Sequence, residues 1–238
     1  MAEDGFKTPV AVVGLGLLGT SLAMALKAKK IPVTGWTRRR EIRNWAVAQQ
    51  IITATADDVE SVLGQAAITV ICLPIPEIIA FVRDHAGAWR PGAVVTDIGS
   101  VKEVIVTAGE AELVPRGVHF VGSHPMAGTE KSGPEHAFPE LYDNAEVFVT
   151  PTKQTDPAAV AAVRQLWELI GTSVVAIDPA THDNLVAHTS HISHLLALSL
   201  TEAVLDCREE LRPLRYSGCA TGFRDTSRIA SSSPKMWR

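Results

Sequence analysis

The sequence predicts an α/β fold, a Rossmann-type, mostly parallel sheet followed by a smaller all-helical C-terminal domain. Short β-branched runs alternate with longer stretches of helical spacing through most of the chain, as strands joined by crossover helices do. A glycine-rich turn, Gly14-x-Gly16-x-x-Gly19, falls directly between the first such run and the first helical stretch. Past Pro179 the strand-like runs cease, and a long pattern rich in Ala, Leu and Ser replaces them.

In chain order, strands are predicted over 10–13, 32–36, 68–73, 93–97, 119–122, 146–150 and 173–177. Most are too apolar to face water on one side, so they belong in a sheet covered on both faces. Helices are predicted over 19–28, 40–49, 57–63, 77–85, 102–111 and 156–170, in the crossover positions between strands. The pattern over 182–207 reads as one long helix. The composition shift puts a domain boundary between 178 and 179, dividing the chain into 8–178, which holds the glycine-rich turn and all the predicted strands, and an all-helical 179–238.

Composition narrows the function classes. With 238 residues, 46% of them hydrophobic, the chain can bury a full core. A formal net charge of -4 supplies no basic field, so nucleic acid is not an expected partner. The three cysteines, Cys72, Cys207 and Cys219, form no CxxC pair and leave an odd number, which suggests neither a zinc site nor a disulfide framework. Residues 1–8 lack the apolar stretch of a signal peptide, and no apolar run approaches the roughly 20 residues that span a bilayer. The expectation is a cytoplasmic protein without a membrane partner.

The glycine turn has a stated physical use. Gly14 allows the tight turn, Gly16 lets backbone approach a pyrophosphate, and Gly19 lets helix and strand pack closely. Leu15, Leu17 and Leu18 complete this loop, and Leu73, at the end of the third predicted strand, should border the same edge. A plain glycine turn is the alternative. After the second strand an NAD-selective site usually carries an acid for the ribose 2′-hydroxyl. Here Thr37, Arg38, Arg39 and Arg40 stand in that place, and guanidinium groups suit a 2′-phosphate. NADP is therefore the preferred cofactor and NAD the second, with Arg38 as the expected 2′-phosphate contact; a solvated helix start is the alternative reading of these arginines.

Two segments follow predicted strands and should lie at the carboxyl edge of the sheet, 97–102 with Ser100 and 122–130 with His124. An imidazole with an ordinary pKa near 6.5 can take the hydroxyl proton released when an alcohol is oxidised at neutral pH. Pro125 holds the backbone of His124 extended. His188, His191 and His194 lie on the long helix, where His191 and His194 share a side. Metal binding needs at least three converging ligands, and spacing fixes no third, so no metal site is expected. In 222–228, Arg224 and Arg228 could fork onto a substrate carboxylate, or pair with Asp225 at the surface.

These residues together resemble the prephenate/arogenate dehydrogenase family of tyrosine biosynthesis. The resemblance runs through VVGLGLLGTSLA, TDIGSVK, GSHPMAGTEKSG, VTPT, the His182-Asp183 pair, SHISH and GFRDTSRIA. It implies oxidative decarboxylation of prephenate or arogenate, with hydride leaving C4 of the cyclohexadienol for NAD(P). It further implies that His124 bonds the hydroxyl being oxidised and that Ser100 lies near that histidine and the nicotinamide. Arg228 would bind a substrate carboxylate, His194 would be a further active-site histidine, and Thr129 would sit in the substrate-side loop. Family members commonly have Pro where Ser193 stands here. They usually continue past the segment at Met236 and Trp237 into helices that build a homodimer, so a chain ending at Arg238 is expected to lack those helices.

Two competing readings remain. A β-hydroxyacid-type dehydrogenase would place a lysine in its helical domain, and 181–206 contains none. An NADP-binding module without catalysis would bind cofactor and leave it unreduced.

Overall fold

The computed structural model describes residues 8–205 of the chain. The elements in order are β1 (Val10–Val13), α1 (Leu17–Ala28), β2 (Val33–Trp36), α2 (Arg40–Ala48), α3 (Val59–Gln65), β3 (Ile68–Ile71), α4 (Ile75–Asp84), β4 (Val94–Asp97), α5 (Glu103–Leu113), β5 (His119–Pro125), β6 (Glu146–Thr150), α6 (Pro157–Leu169), β7 (Ser173–Ala176), α7 (Pro179–Val186) and α8 (Ile192–Leu205). One compact unit runs to Asn184 and a second begins at Leu185.

In the first unit the strands form one sheet in the order β2-β1-β3-β4-β5-β6-β7. Every pairing is parallel except β5 with β6. The sheet is sandwiched, which explains why its strands read as nearly continuous apolar runs. Val10 and Val12 of β1 face a cluster that includes Leu22 and Leu26 of α1 and Val163, Leu166 and Trp167 of α6. Val13 joins the opposite cluster with Ile78 and Phe81 of α4 and Ile105 and Val106 of α5. Alternation along one strand thus feeds two cores.

Local chemistry sets several element starts. The Asp156 carboxylate accepts from the amides of Ala158 and Ala159, and Pro157 occupies the first turn of α6, where its missing N–H costs nothing. Asp58 caps α3 through Ser61, so that helix covers 59–65 rather than the expected 57–63.

Strand β1 pairs with β2 on one side and β3 on the other, so consecutive strands diverge there. Such a switch point leaves a crevice beyond the carboxyl ends of the strands. The connection from β5 to β6 wraps back over α1: the Phe138 amide donates to Ser21 Oγ at 3.1 Å and the buried Tyr142 hydroxyl donates to the Leu18 carbonyl at 3.0 Å. Periodicity gave no sign of this strap.

The predicted single helix over 182–207 begins earlier, at Pro179, and is not uniform. Residues Ala187–His191 form a π-helical turn before α8. There Thr189 Oγ1 donates to the Leu185 carbonyl, a local bond that competes with regular helix pairing. Within the second unit, Ile192, Leu195, Leu196, Leu198 and Leu200 of α8 are exposed. Among the described residues no helix is long and apolar enough to cross a membrane.

Candidate active site

The glycine turn lies at the crevice. Gly14 has φ +97°, and a Cβ there would stand 2.2 Å from the Cys72 carbonyl oxygen. A Cβ on Gly19 would stand 1.9 Å from the Gly14 carbonyl oxygen, so these two glycines are required by contact within the protein. Gly16 differs: a Cβ there meets nothing within 4 Å among the described residues. It precedes the first turn of α1, which carries no acidic residue and receives no side-chain cap from Gly16. The opening amides of α1 and the space over Gly16 therefore fit a pyrophosphate, held by backbone N–H groups at the positive end of the helix. Leu15 and Leu17 are buried in the core, so they serve this turn through backbone alone. Leu18 and Leu73 are half-buried beside it.

At the end of β2, Arg38 and Arg39 are exposed and Thr37 is half-buried. Sequence reasoning passed over the residue that shapes this turn, Arg43 of α2. Its side chain is only 6% exposed; Nη1 donates to the Thr37 carbonyl at 2.7 Å and Nη2 to Asp57 Oδ1 at 3.1 Å. The guanidinium carbon also lies 5.9 Å from the Trp36 ring centroid. Arg43 is thus spent on structure, while Arg38 and Arg39 have no ion-pair partner among the described residues.

His124 lies within a strand, not in the loop expected after residue 122. Strand β5 outruns β4, and its last part, Gly122 to Pro125, pairs with β6, with His124 opposite Phe148. A paired backbone fixes the imidazole more firmly than a loop would. The side chain is buried, and its Nδ1 lies 2.9 Å from His182 Nε2 on α7, the rings meeting edge to face with centroids 5.1 Å apart. His182 is fully buried against Phe148 at 5.4 Å, and its Nδ1 lies 2.8 Å from Asp183 Oδ1. Asp183 accepts from the amides of Lys102 at 2.6 Å and Glu103 at 3.0 Å, at the start of α5.

Burial pushes the His182 imidazole below its ordinary pKa, and the bond to Asp183 offsets only part of that. For Asp183 burial acts in the raising direction, but the Glu103 amide, His182 and the Lys102 amide outweigh it and hold the carboxyl below its ordinary value. At neutral pH the pair is a neutral ring beside an ionised carboxylate.

Beneath His124 lies a second network. Lys102 and Asp97, both fully buried, form an ion pair, and Lys102 Nζ also donates to the Ser123 carbonyl at 2.8 Å. The Asp97 carboxylate accepts from the amides of Gly99 at 2.7 Å and Ser123 at 3.2 Å. Ser123 Oγ donates to the Asp97 carbonyl at 2.6 Å and accepts from Trp167 Nε1 at 3.1 Å. The residue before His124 is therefore tied to β4, to the β4–α5 turn and to α6.

Three comparisons meet this geometry. The sequence model of the prephenate dehydrogenase nucleotide-binding domain matches residues 22–176, and that of the prephenate dehydrogenase dimerization domain matches 178–238. The chain belongs to this family. It is similar to the cyclohexadienyl dehydrogenase of Zymomonas mobilis, at 32% identity across 96% of this chain and 78% of that one. It is similar to the prephenate dehydrogenase of Bacillus subtilis, at 35% identity across 98% of this chain and 63% of that one. The structure of A. aeolicus prephenate dehydrogenase in complex with hydroxyphenyl propionate and NAD+ superposes with a TM-score of 0.85, at 32% identity across 99% of this chain and 82% of that one. As a family member the chain is an NAD(P)-dependent oxidoreductase of the prephenate/arogenate dehydrogenase type, and nothing supports the β-hydroxyacid alternative.

The structure brings some of the expected site residues to one edge. Ser100 lies half-buried in the turn after β4, the strand beside β5. Thr129 is exposed in the loop after β5, where its Oγ1 accepts from the Lys131 amide at 3.1 Å. His194 falls on α8, in the second unit. Arg228, with all of 222–228, lies outside the described residues, as do Cys207, Cys219, Met236 and Trp237. Among the described residues no group of three His, Cys, Asp or Glu converges as a metal site.

Proposed function

We propose that this chain oxidises prephenate or arogenate, with His124 taking the hydroxyl proton as hydride leaves the ring carbon. The observation that carries the reading is a buried histidine on a strand-fixed backbone at the carboxyl edge of a dinucleotide-binding sheet, in a chain of this family. When bound, the nicotinamide supplies the hydride acceptor. The protein's part is to bind, orient and deprotonate. Gly14, Gly16 and Gly19 with the opening amides of α1 hold the pyrophosphate, Leu15, Leu17 and Leu18 lend it backbone, and Leu73 borders it. With its Nδ1 turned to His182, His124 presents Nε2 to the substrate hydroxyl. Ser100 assists at that hydroxyl from the neighbouring turn. The family resemblance assigns His194, Thr129 and Arg228 to the substrate, with Arg228 on a carboxylate. Removal of the hydroxyl proton and departure of hydride make a ketone-like carbon. The bond to the ring carboxylate then breaks, carbon dioxide leaves and the released pair makes the ring aromatic, which renders the reaction irreversible.

NADP is the preferred cofactor, because Arg38 and Arg39 stand where an acid would select NAD. Arg38→Ala should raise the KM for NADP about tenfold and change that for NAD less than twofold, as loss of a 2′-phosphate contact worth about 1.4 kcal/mol requires. Equal effects on both would count against the assignment. The division at 8–178 and 179–238 separates cofactor domain from substrate and dimerisation domain. Against the expectation that the chain lacks the dimer helices, the match of 178–238 to a dimerization domain and the exposed leucines of α8 favour pairing of this chain as a homodimer; light scattering giving a monomer mass at micromolar concentration would refute this. The function itself is tested by following cofactor reduction with prephenate and with arogenate, each with NADP and NAD. Cofactor binding without reduction in all four mixtures would favour a non-catalytic module instead.

A further inference from the structure

The ring-to-ring bond between His124 and His182 raises a question the substrate reading leaves open. Two neutral imidazoles joined Nδ1 to Nε2 share a single proton, and either ring can own it. If His182 Nε2 carried it, His124 Nδ1 would hold the lone pair and Nε2 would be an N–H, unable to accept a proton. The histidine would then be well placed and chemically wrong.

We propose that Asp183 and His182 form a two-step tautomer lock that keeps the lone pair of His124 on Nε2. The lock rests on His124 being the base, and it begins at the carboxylate. Asp183 is an acceptor only, anchored on two backbone amides at the start of α5 at 2.6 and 3.0 Å. A third bond of 2.8 Å then requires His182 Nδ1 to carry a proton. His182 is fully buried and neutral, with the Lys102 ammonium nearby to oppose a second proton and the Asp97 carboxylate to favour one. Its Nε2 is therefore a lone pair. That lone pair accepts at 2.9 Å, so His124 Nδ1 is the N–H and Nε2 the basic nitrogen. As His124 becomes an imidazolium, its Nδ1–H bond to His182 strengthens, and the Asp183 charge stabilises it at one remove. His182 and Asp183 act through His124 and are positioning residues. The sequence pairs them as neighbours, but only the docking of α7 against β5 and α5 shows that they run in series.

The test reads the tautomer directly. In the full chain labelled with 15N-histidine, His124 resonances are identified by their loss in His124→Asn, and one- and two-bond couplings show which nitrogen is protonated. The wild type should show Nδ1–H at neutral pH. Asp183→Asn and His182→Leu should each release the preference toward Nε2–H, with kcat down at least tenfold and the KM for cofactor within twofold of wild type. His182→Gln leaves the α5 cap intact and can place Oε1 where Nε2 stood, so it should recover most of the kcat lost in His182→Leu. An Nε2–H tautomer in the wild type would overturn the lock, as would folded Asp183→Asn and His182→Leu variants with an unchanged tautomer. Equal kcat in the Gln and Leu variants would also overturn it, since a purely packing role predicts that. The two readings fail separately: near-normal turnover in His124→Asn removes the base, whereas the wrong tautomer removes the lock even if His124 proves essential.

Discussion

Lys102→Met removes the ammonium under the active site and keeps nearly the whole stem. Lys102 and Asp97 are both fully buried, and Nζ serves the Asp97 carboxylate and the Ser123 carbonyl. In the variant, Asp97 keeps the amides of Gly99 and Ser123 but loses its countercharge, and the Ser123 carbonyl loses a donor. Breaking one side of a buried pair costs about 3–5 kcal/mol, because the remaining charge is stranded away from water. At about 2–4 °C per kcal/mol for a chain of this size, Tm should fall by roughly 6–20 °C. The assay is urea and thermal unfolding followed by far-UV circular dichroism, repeated for Asp97→Asn and for the double variant. The double variant should cost less than the sum of the singles, since no unpaired charge is left behind. A Lys102→Met protein within about 1 kcal/mol of wild type, or strictly additive singles, would refute the idea that this pair braces Ser123 and hence His124.

The glycine turn offers a contrast between folding and binding. Gly16→Ala should leave Tm nearly unchanged, because its Cβ meets nothing within 4 Å among the described residues, yet weaken cofactor binding at least tenfold by occupying the pyrophosphate's approach. Gly19→Ala, with a Cβ 1.9 Å from the Gly14 carbonyl oxygen, should lose both stability and binding; calorimetry and cofactor titration separate the two, and a Gly16→Ala protein with wild-type affinity would contradict the assignment. The lowered pKa of His182 makes stability depend on pH. Its folded value lies below the ordinary 6.5, so as pH falls the unfolded chain takes the proton first, and the stabilisation present above pH 6.5 is lost below it. The slope from this group is at most about 1.4 kcal/mol per pH unit, and His182→Gln should remove it from urea-midpoint profiles just below pH 6.5. An unchanged slope would show that His182 is not held neutral.

What was legible in the sequence was the periodic part. Val10 to Val13 read as a buried strand because both faces of β1 are covered, and Gly14, Gly16 and Gly19 read as a cofactor turn because their spacing lies within six residues, although the contact that demands a glycine at 14 comes from the distant Cys72 carbonyl. The end of β5 is not legible from an apolar run, because polar Ser123 and His124 interrupt it, although both are buried and paired with β6. His182 and Asp183 were visible as a motif without a partner, since what they touch lies 58 and about 80 residues away in the chain. Lys102 and Asp97 looked like a helix start and a strand end, and their burial as a pair depends on Ser123 closing over them. Arg43, two turns from nothing unusual in pattern, became a structural residue through the Thr37 carbonyl and Asp57. Periodicity reports which face an element buries; it does not report which polar groups meet across elements.

The most direct measurement is the single-turnover rate of cofactor reduction for the wild type and His124→Asn, with saturating prephenate or arogenate. Loss of a general base predicts a fall of about 10²-fold or more with cofactor affinity preserved. Cofactor reduction at near wild-type rate in His124→Asn would contradict the account at its centre.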